Sequence, residues 1–332
     1  MSIPPHVFDQ TVAQLFAPIV PFLKTDEVSE IMINGHDEIY VEKDGRLYLT
    51  GSTFASQHAL MSALRNLSQF VGRELNQRQP IMEARLPDGS RVEAIIPPAC
   101  PGGPVVSIRR FRQKQLTLSR LVELGAICQA TSDLLRSIIA RRDNVIVAGG
   151  SGSGKTSLLN VLASLAPVGE RIVVIEDSIE LQVALPHVVQ LEAQPADIRG
   201  RGGVSIRELF TATLRMRPDR IVIGEIRGGE ALDLIQAMTS GHRGCLSTVH
   251  ATFPIDTLTR LETMALMSDV DVPPTVLRAQ IASAIDIVVQ VSRQSDGSRC
   301  VTHVSEVLGH DREDGYRICH LFERYVESGV GA

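Results

Sequence analysis

The sequence predicts a two-domain α/β chain: a C-terminal domain built on a parallel-rich sheet, preceded by a smaller N-terminal α+β domain. Three observations carry this. Apolar runs at 144–148, 171–175 and 220–224 alternate with helical patterns at 155–166, 205–216 and 228–239, and strands alternating with helices imply a parallel sheet covered by helices. Upstream, short extended runs are instead separated by D-G turns, the signature of antiparallel hairpins. Between the two regions Gln113-Lys114-Gln115-Leu116-Thr117 is polar and aperiodic, which places a linker over 113–118. Domains are therefore expected at 1–112 and 119–332.

Composition narrows the class. The 332 residues suffice for two ordinary domains, and 44% hydrophobic against 21% charged residues is a globular balance. With 4% aromatics and no Trp, aliphatic side chains must fill the cores. A net charge of −5 gives no general reason to expect nucleic-acid binding; Arg109, Arg110 and Arg112 make one local basic cluster. Five widely spaced cysteines without a CxxC pair argue against a zinc module or a disulfide framework. The first ten residues lack the basic start and apolar run of a signal peptide, and no run of 18 apolar residues occurs. A cytoplasmic chain is the expectation.

Along the N-terminal domain, a short helix leads to extended runs at 28–35 and 38–42. Lys43-Asp44-Gly45-Arg46 turns the second into Leu47-Tyr48-Leu49. Leu60, Leu64, Leu67 and Val71 share one face of a helix over 56–73. Pro87-Asp88-Gly89-Ser90 marks a second hairpin, and Val105-Val106-Ser107-Ile108 a further strand. After the linker, Ser132 is positioned to cap a helix over 133–142 ahead of a buried strand. Beyond the alternating region lie a helix-rich stretch, 254–285, the run Ile287-Val288-Val289-Gln290-Val291, and a hairpin centred on Asp296-Gly297.

The chemistry begins at Gly149-Gly150-Ser151-Gly152-Ser153-Gly154-Lys155-Thr156, which fits G-x-x-x-x-G-K-[ST]. Glycines let the backbone wrap closely with its N–H groups inward, and the helix that follows presents unpaired N–H groups and a favourable dipole to phosphate. Lys155 is placed to reach the β- and γ-phosphates, and the Thr156 hydroxyl to ligate Mg²⁺. Nucleotide contacts are expected from Gly150, Ser151, Gly152, Ser153, Gly154, Lys155, Thr156 and Ser157.

Acids follow at strand ends. The run 171–175 closes in Glu176-Asp177, with Glu180 three residues on, and 220–224 closes in Glu225. Ligands of open parallel sheets sit beyond the carboxyl ends of strands, so both groups should face the nucleotide. Phosphoryl transfer to water needs a carboxylate to orient the water and others to hold Mg²⁺ through water. Glu225 and Glu180 are candidates for the first task, Glu176 and Asp177 for the second. His242 and His250 lack a Cys or acid partner at metal-ligand spacing.

Taken in order, these motifs resemble the secretion-traffic ATPases of type II and type IV secretion systems and type IV pili. The segment 149–156 is similar to that family's Walker A, 175–181 to its acidic Asp box, 214–227 to its Walker B, and 239–250 to its His box. Gly224 stands where most P-loop enzymes have Asp. Ala84-Arg85-Leu86-Pro87-Asp88-Gly89-Ser90-Arg91 and Ser107-Ile108-Arg109-Arg110-Phe111 resemble segments of the branch serving Flp/Tad pili and conjugation.

The resemblance implies a RecA-like C-terminal domain, a PAS-like N-terminal domain, and a homohexamer using ATP and Mg²⁺. It also implies association with the inner membrane through platform or secretion-channel proteins. Arg85, Arg91, Arg109 and Arg110 become candidate phosphate contacts, since a guanidinium fork suits phosphate oxygens. His242 and His250 become candidate sensors of phosphate loss, and the linker a hinge. A nucleotide-binding scaffold with little turnover is the competing function, which a degenerate phosphate loop would favour. A DNA-translocating motor is disfavoured by the acidic net charge.

Overall fold

A computed structural model describes residues 14–43, 45–86, 89–110, 116–194, 202–311 and 315–324. The chain divides into two compact units, Met1–Lys114 and Gln115–Ala332. Of the linker residues, 113–115 lie outside the described residues; Thr117 caps a helix that begins at Leu118.

The first unit contains α1 (Val20–Leu23), β1 (Val28–Asn34), β2 (Glu38–Lys43), β3 (Arg46–Leu49), α2 (Gln57–Phe70), β4 (Ile81–Arg85), β5 (Arg91–Ile95) and β6 (Val105–Arg109). The strands form an antiparallel sheet in the order β3-β2-β1-β6-β5-β4. α2 starts where the Ser56 hydroxyl accepts from the Ala59 N–H (3.1 Å). It buries Leu60, Ala63, Leu64 and Leu67 in one core with alternate strand residues such as Ile31, Ile33, Val92, Ala94 and Ile108. Period 3.6 on the helix meets period 2 on the sheet.

The second unit contains α3 (Leu118–Glu123), α4 (Gln129–Ala140), β7 (Val145–Gly149), α5 (Lys155–Ala163), β8 (Ile172–Glu176), β9 (Val188–Glu192), α6 (Ile206–Thr213), β10 (Arg220–Ile223) and α7 (Glu230–Thr239). There follow β11 (Leu246–His250), α8 (Pro254–Ala265), α9 (Pro274–Ala284), β12 (Ile287–Arg293), β13 (Arg299–Asp311) and β14 (Gly315–Glu323). The sheet order is β14-β13-β12-β7-β11-β10-β8-β9. Strands β12 through β9 in that order run parallel, while β13 and β14 are antiparallel.

The sheet is buried on both faces, and alternate residues of each strand divide between two cores. Ile146, Ala148, Val173, Ile175, Ile221 and Ile223 pack on one side with residues of α6, α7, α8 and α9. Val145, Val147, Ile172, Val174 and Val222 pack on the other with residues of α4 and α5. Strands covered on both faces read as unbroken apolar runs rather than alternating ones, which is why 144–148, 171–175 and 220–224 were conspicuous in the sequence.

One sequence expectation needs correction. Ser132 is buried inside α4 rather than capping it, because Cys128 takes the extended N-cap conformation one turn earlier. The segment ending at His250, for which the sequence suggested no element, is a central strand, β11, lying between β7 and β10.

At the amino end of the sheet, the fully buried Arg220 pairs with Glu170 (Nε to Oε2, 2.5 Å) and donates from Nη2 to the Ile139 carbonyl (2.8 Å). Arg142 holds the other Glu170 oxygen (2.7 Å). Removing one partner of a buried pair strands the other charge, which costs about 3–5 kcal/mol. Glu170→Ala is therefore expected to lower the urea midpoint of the full chain by a corresponding amount, read by circular dichroism.

Candidate nucleotide site

Several strands deliver their last residues to one edge. Gly149 ends β7, Glu176 ends β8, His250 ends β11, Arg293 ends β12, and Glu225 lies two residues past β10. These are the carboxyl ends of parallel strands, where ligands of such sheets bind.

The phosphate loop leaves β7 through a tight passage. A Cβ on Gly149 would lie 2.4 Å from the Val291 carbonyl oxygen and 2.5 Å from Ser153 Oγ, so no other residue fits. Gly154, at φ +96°, is the N-cap of α5, a left-handed conformation that favours glycine. Lys155 Nζ donates to the Gly150 carbonyl (2.9 Å), as does Ser153 Oγ (2.8 Å), bracing the bend internally. Thr156 and Ser157 follow Lys155 in the first turn of α5, where backbone N–H groups lack intrahelical acceptors.

From Lys155 a chain of polar and charged groups crosses the strand ends. Its ammonium lies 3.4 Å from His250 Nδ1, and His250 Nε2 lies 2.6 Å from Glu225 Oε1. The other Glu225 oxygen accepts from Arg227 Nε (2.8 Å) and Nη2 (2.5 Å), while Arg227 Nη1 lies 3.3 Å from Asp177. Burial first, then the Lys155 ammonium, push His250 below its ordinary value of 6.5, against the pull of Glu225. A neutral ring suits this place: the Lys155 ammonium lies 3.4 and 3.5 Å from its two nitrogens, and the Glu225 carboxylate stands beside Nε2. Partial burial works against the charged Arg227, yet Glu225, Asp177 and Glu180 together raise it above the usual arginine value.

Gly224 explains its own departure from the common pattern. A Cβ there would stand 2.9 Å from Glu176 Cγ, so the Glu176 side chain fills the space beside it. Glu176 is buried, and its Oε1 accepts from the Glu180 and Leu181 N–H groups (3.0 Å each). Thr248 Oγ1 holds the Gly224 carbonyl (2.7 Å). Among the described residues no cluster of three His, Cys, Asp or Glu side chains could hold a metal alone. One hydroxyl with carboxylates at neighbouring strand ends fits Mg²⁺, which keeps several waters and binds largely through substrate phosphates.

Other expected residues fall elsewhere. His242 precedes β11, at the end opposite His250; the strand alone spans roughly 13 Å. Within one chain the length of β11 therefore lies between His242 and the phosphate loop. Arg85, Arg91 and Arg109 are register partners across β4, β5 and β6, a row of guanidinium-bearing residues on one face of the first unit's sheet. Arg91 pairs with Glu83 (2.7 Å), and Arg85 Nε donates to the Gly89 carbonyl (3.3 Å). Arg110 is turned onto the Thr25 and Val28 carbonyls.

Sequence reasoning passed over Arg227, Arg293 and Arg299. The rule that singled out acids at strand ends applies equally to Arg293 at the end of β12.

Two expectations follow. Gly224→Ala must displace a pinned glutamate, and overpacking of this kind costs about 1–3 kcal/mol, measurable as a lowered thermal midpoint. His250 has a depressed folded value, so the stability it contributes is present at neutral pH and is lost as pH falls from its unfolded value near 6.5 through the lower folded one. His250→Gln should accordingly lose less thermal stability than the parent between pH 7 and 5.

Comparison with known proteins accords with this geometry. Residues 13–324 match the family described as type II/IV secretion system protein. The chain is 36% identical to the type IV secretion system protein PtlH of Bordetella pertussis over 83% of this chain and 88% of that one. It is 30% identical to the conjugal transfer protein TrbB of Rhizobium radiobacter over 91% and 90%. The fold is similar to that of the Legionella pneumophila ATPase DotB, at a TM-score of 0.60 and 19% identity, covering 94% of this chain and 83% of that one. With its motifs in order and the match running through both units, the chain belongs to the type II/IV secretion system protein family.

Proposed function

We propose that this chain is an ATP-hydrolysing motor subunit, working as a homohexamer to drive a type IV secretion, conjugation or type IV pilus machine. The observation that carries the reading is the continuous link from Lys155 of the phosphate loop through His250 to Glu225. It joins a group suited to hold phosphate with a carboxylate suited to orient water.

In this reading Gly150, Ser151, Gly152, Ser153 and Gly154 cradle the phosphates through backbone N–H groups, and Ser157 adds a contact from the first helical turn. Lys155 exchanges its bond to the Gly150 carbonyl for phosphate oxygens. The Thr156 hydroxyl would hold Mg²⁺, with Glu176 and Asp177 reaching it through water, and the ion would supply neutralisation of phosphate charge. Glu225 accepts a proton from, or positions, the attacking water; Glu180, on the same acidic edge beside Arg227, is the second candidate. His250 relays the loss of phosphate, since it bridges Lys155 and Glu225.

The arginine row of the first unit supports a phosphate contact. Like charges directly across a sheet are destabilising; Glu83 offsets this at Arg91, and a phosphate would offset it further. Arg85, Arg91 and Arg109 are the leading members, while Arg110 would first have to leave its carbonyl partners. Membrane attachment would come through inner-membrane platform or channel proteins; among the described residues no helix is long and apolar enough to cross a membrane.

Steady-state ATPase assays test the assignment. Lys155→Ala and Glu225→Gln should each lower kcat on the order of 100-fold or more, the scale of losing a main electrostatic or acid–base group. Chelating Mg²⁺ should have a comparable effect. Undiminished turnover in Lys155→Ala would overturn the assignment. Tight ATP binding by the parent chain without turnover would favour a scaffold instead.

A further inference from the structure

The phosphate loop has an outer side, and the β12–β13 hairpin of the same chain occupies it. Arg293 and Arg299 are register partners across that hairpin and stand next to each other. Arg299 Nε donates to the Gly152 carbonyl (2.8 Å), across 147 positions of sequence. The aliphatic stem of Arg299 packs at Gly154, with Cδ 3.2 Å from where a Cβ would stand. Arg293 Nη1 lies 3.7 Å from the corresponding point on Gly152. The backbone of β12 takes up the space at Gly149 through the Val291 carbonyl. Three loop glycines thus make room for one hairpin.

The Gly152 contact has a directional consequence. In a trans peptide the C=O and the following N–H point opposite ways. Arg299 draws the Gly152 carbonyl outward, which turns the Ser153 N–H inward. That N–H makes only a long contact, 3.4 Å, to the Gly150 carbonyl, the same oxygen that holds Lys155. It is a weakly engaged donor on the side of its peptide away from Arg299.

We propose that the β12–β13 hairpin forms the outer half of the phosphate cradle, with Arg299 as a positioning residue that aims the Ser153 N–H at a nucleoside polyphosphate and Arg293 adding a second cation beside it. This rests on the nucleotide-binding reading above, and concerns residues outside the phosphate-loop pattern. The contacts strengthen ground state and transition state alike, so they act on affinity rather than on the chemical step.

The test is equilibrium titration of the full chain with MgADP at low and high salt, together with steady-state kinetics with MgATP. Arg299→Gln should raise the Kd for ADP and the KM for ATP about tenfold, the scale of one charge-assisted hydrogen bond, with kcat within about twofold. Arg293→Gln should give a smaller rise, and both variants should flatten the salt dependence of Kd. Arg299→Lys, which keeps stem, charge and one donor, should recover most of the affinity. Arg299→Met keeps the stem against Gly154 and removes the donor and charge, so it carries the same expectation if Arg299→Gln does not fold. Unchanged Kd in these variants, or a fall in kcat at constant KM, overturns the proposal while leaving the nucleotide site intact. Failure of the parent chain to bind ADP or ATP overturns the nucleotide reading itself.

Discussion

The architecture turns on the close passage of the phosphate loop past β12. At Gly149 there is no room for a single additional carbon, because the Val291 carbonyl and Ser153 Oγ already occupy the space. That contact requires β7 and β12 to be parallel neighbours in register, with Val291 beside Gly149. It therefore depends on the whole doubly covered sheet, whose two cores hold the strands at fixed heights. Once β7 and its neighbours are level, the carboxyl ends of β8, β10 and β11 bring Glu176, Glu225 and His250 to the same edge. Burial of aliphatic side chains thus sets the positions of polar groups far from the cores.

The charged groups at that edge are arranged as exchangeable partners rather than as isolated ions. Lys155 is largely buried and braced by the Gly150 carbonyl and His250; Glu225 is held between His250 and Arg227; Arg227 also reaches Asp177. In the proposed motor, a polyphosphate would compete for Lys155 and so free His250 to follow Glu225. The most exposed member, Arg227, contributes little by itself, since exposed ion pairs are worth at most about 1 kcal/mol. Its importance lies in fixing one Glu225 oxygen so that the other faces His250. Glu176 differs in kind: it is buried, takes backbone N–H groups, and occupies the space that Gly224 leaves free.

Much of this was legible in the sequence for identifiable reasons. Buried parallel strands read as continuous apolar runs, and the phosphate loop has a spacing no other structure demands. The D-G and P-D-G turns marked the hairpins β2–β3 and β4–β5. What escaped notice had weaker local signals. β11 carries Ser247, Thr248 and His250, polar residues that break the apolar run although most are buried in the sheet. β14 has an exposed, mixed pattern and depends on pairing with β13. The start of α4 at Cys128 has no side-chain capping bond to advertise it. The placement of His242 opposite His250 follows from β11 being a strand. Arg299 touches Gly152 only because a hairpin far along the chain folds back, which no local pattern encodes.

The central claim is that the backbone of residues 150–157 receives the phosphates at the carboxyl edge of this sheet. Amide hydrogen exchange of the full chain, with and without a non-hydrolysable MgATP analogue, tests it most directly. The account predicts that the analogue slows exchange most across residues 150–157, where backbone N–H groups become phosphate donors. Exchange in that segment unaltered by saturating analogue would contradict it.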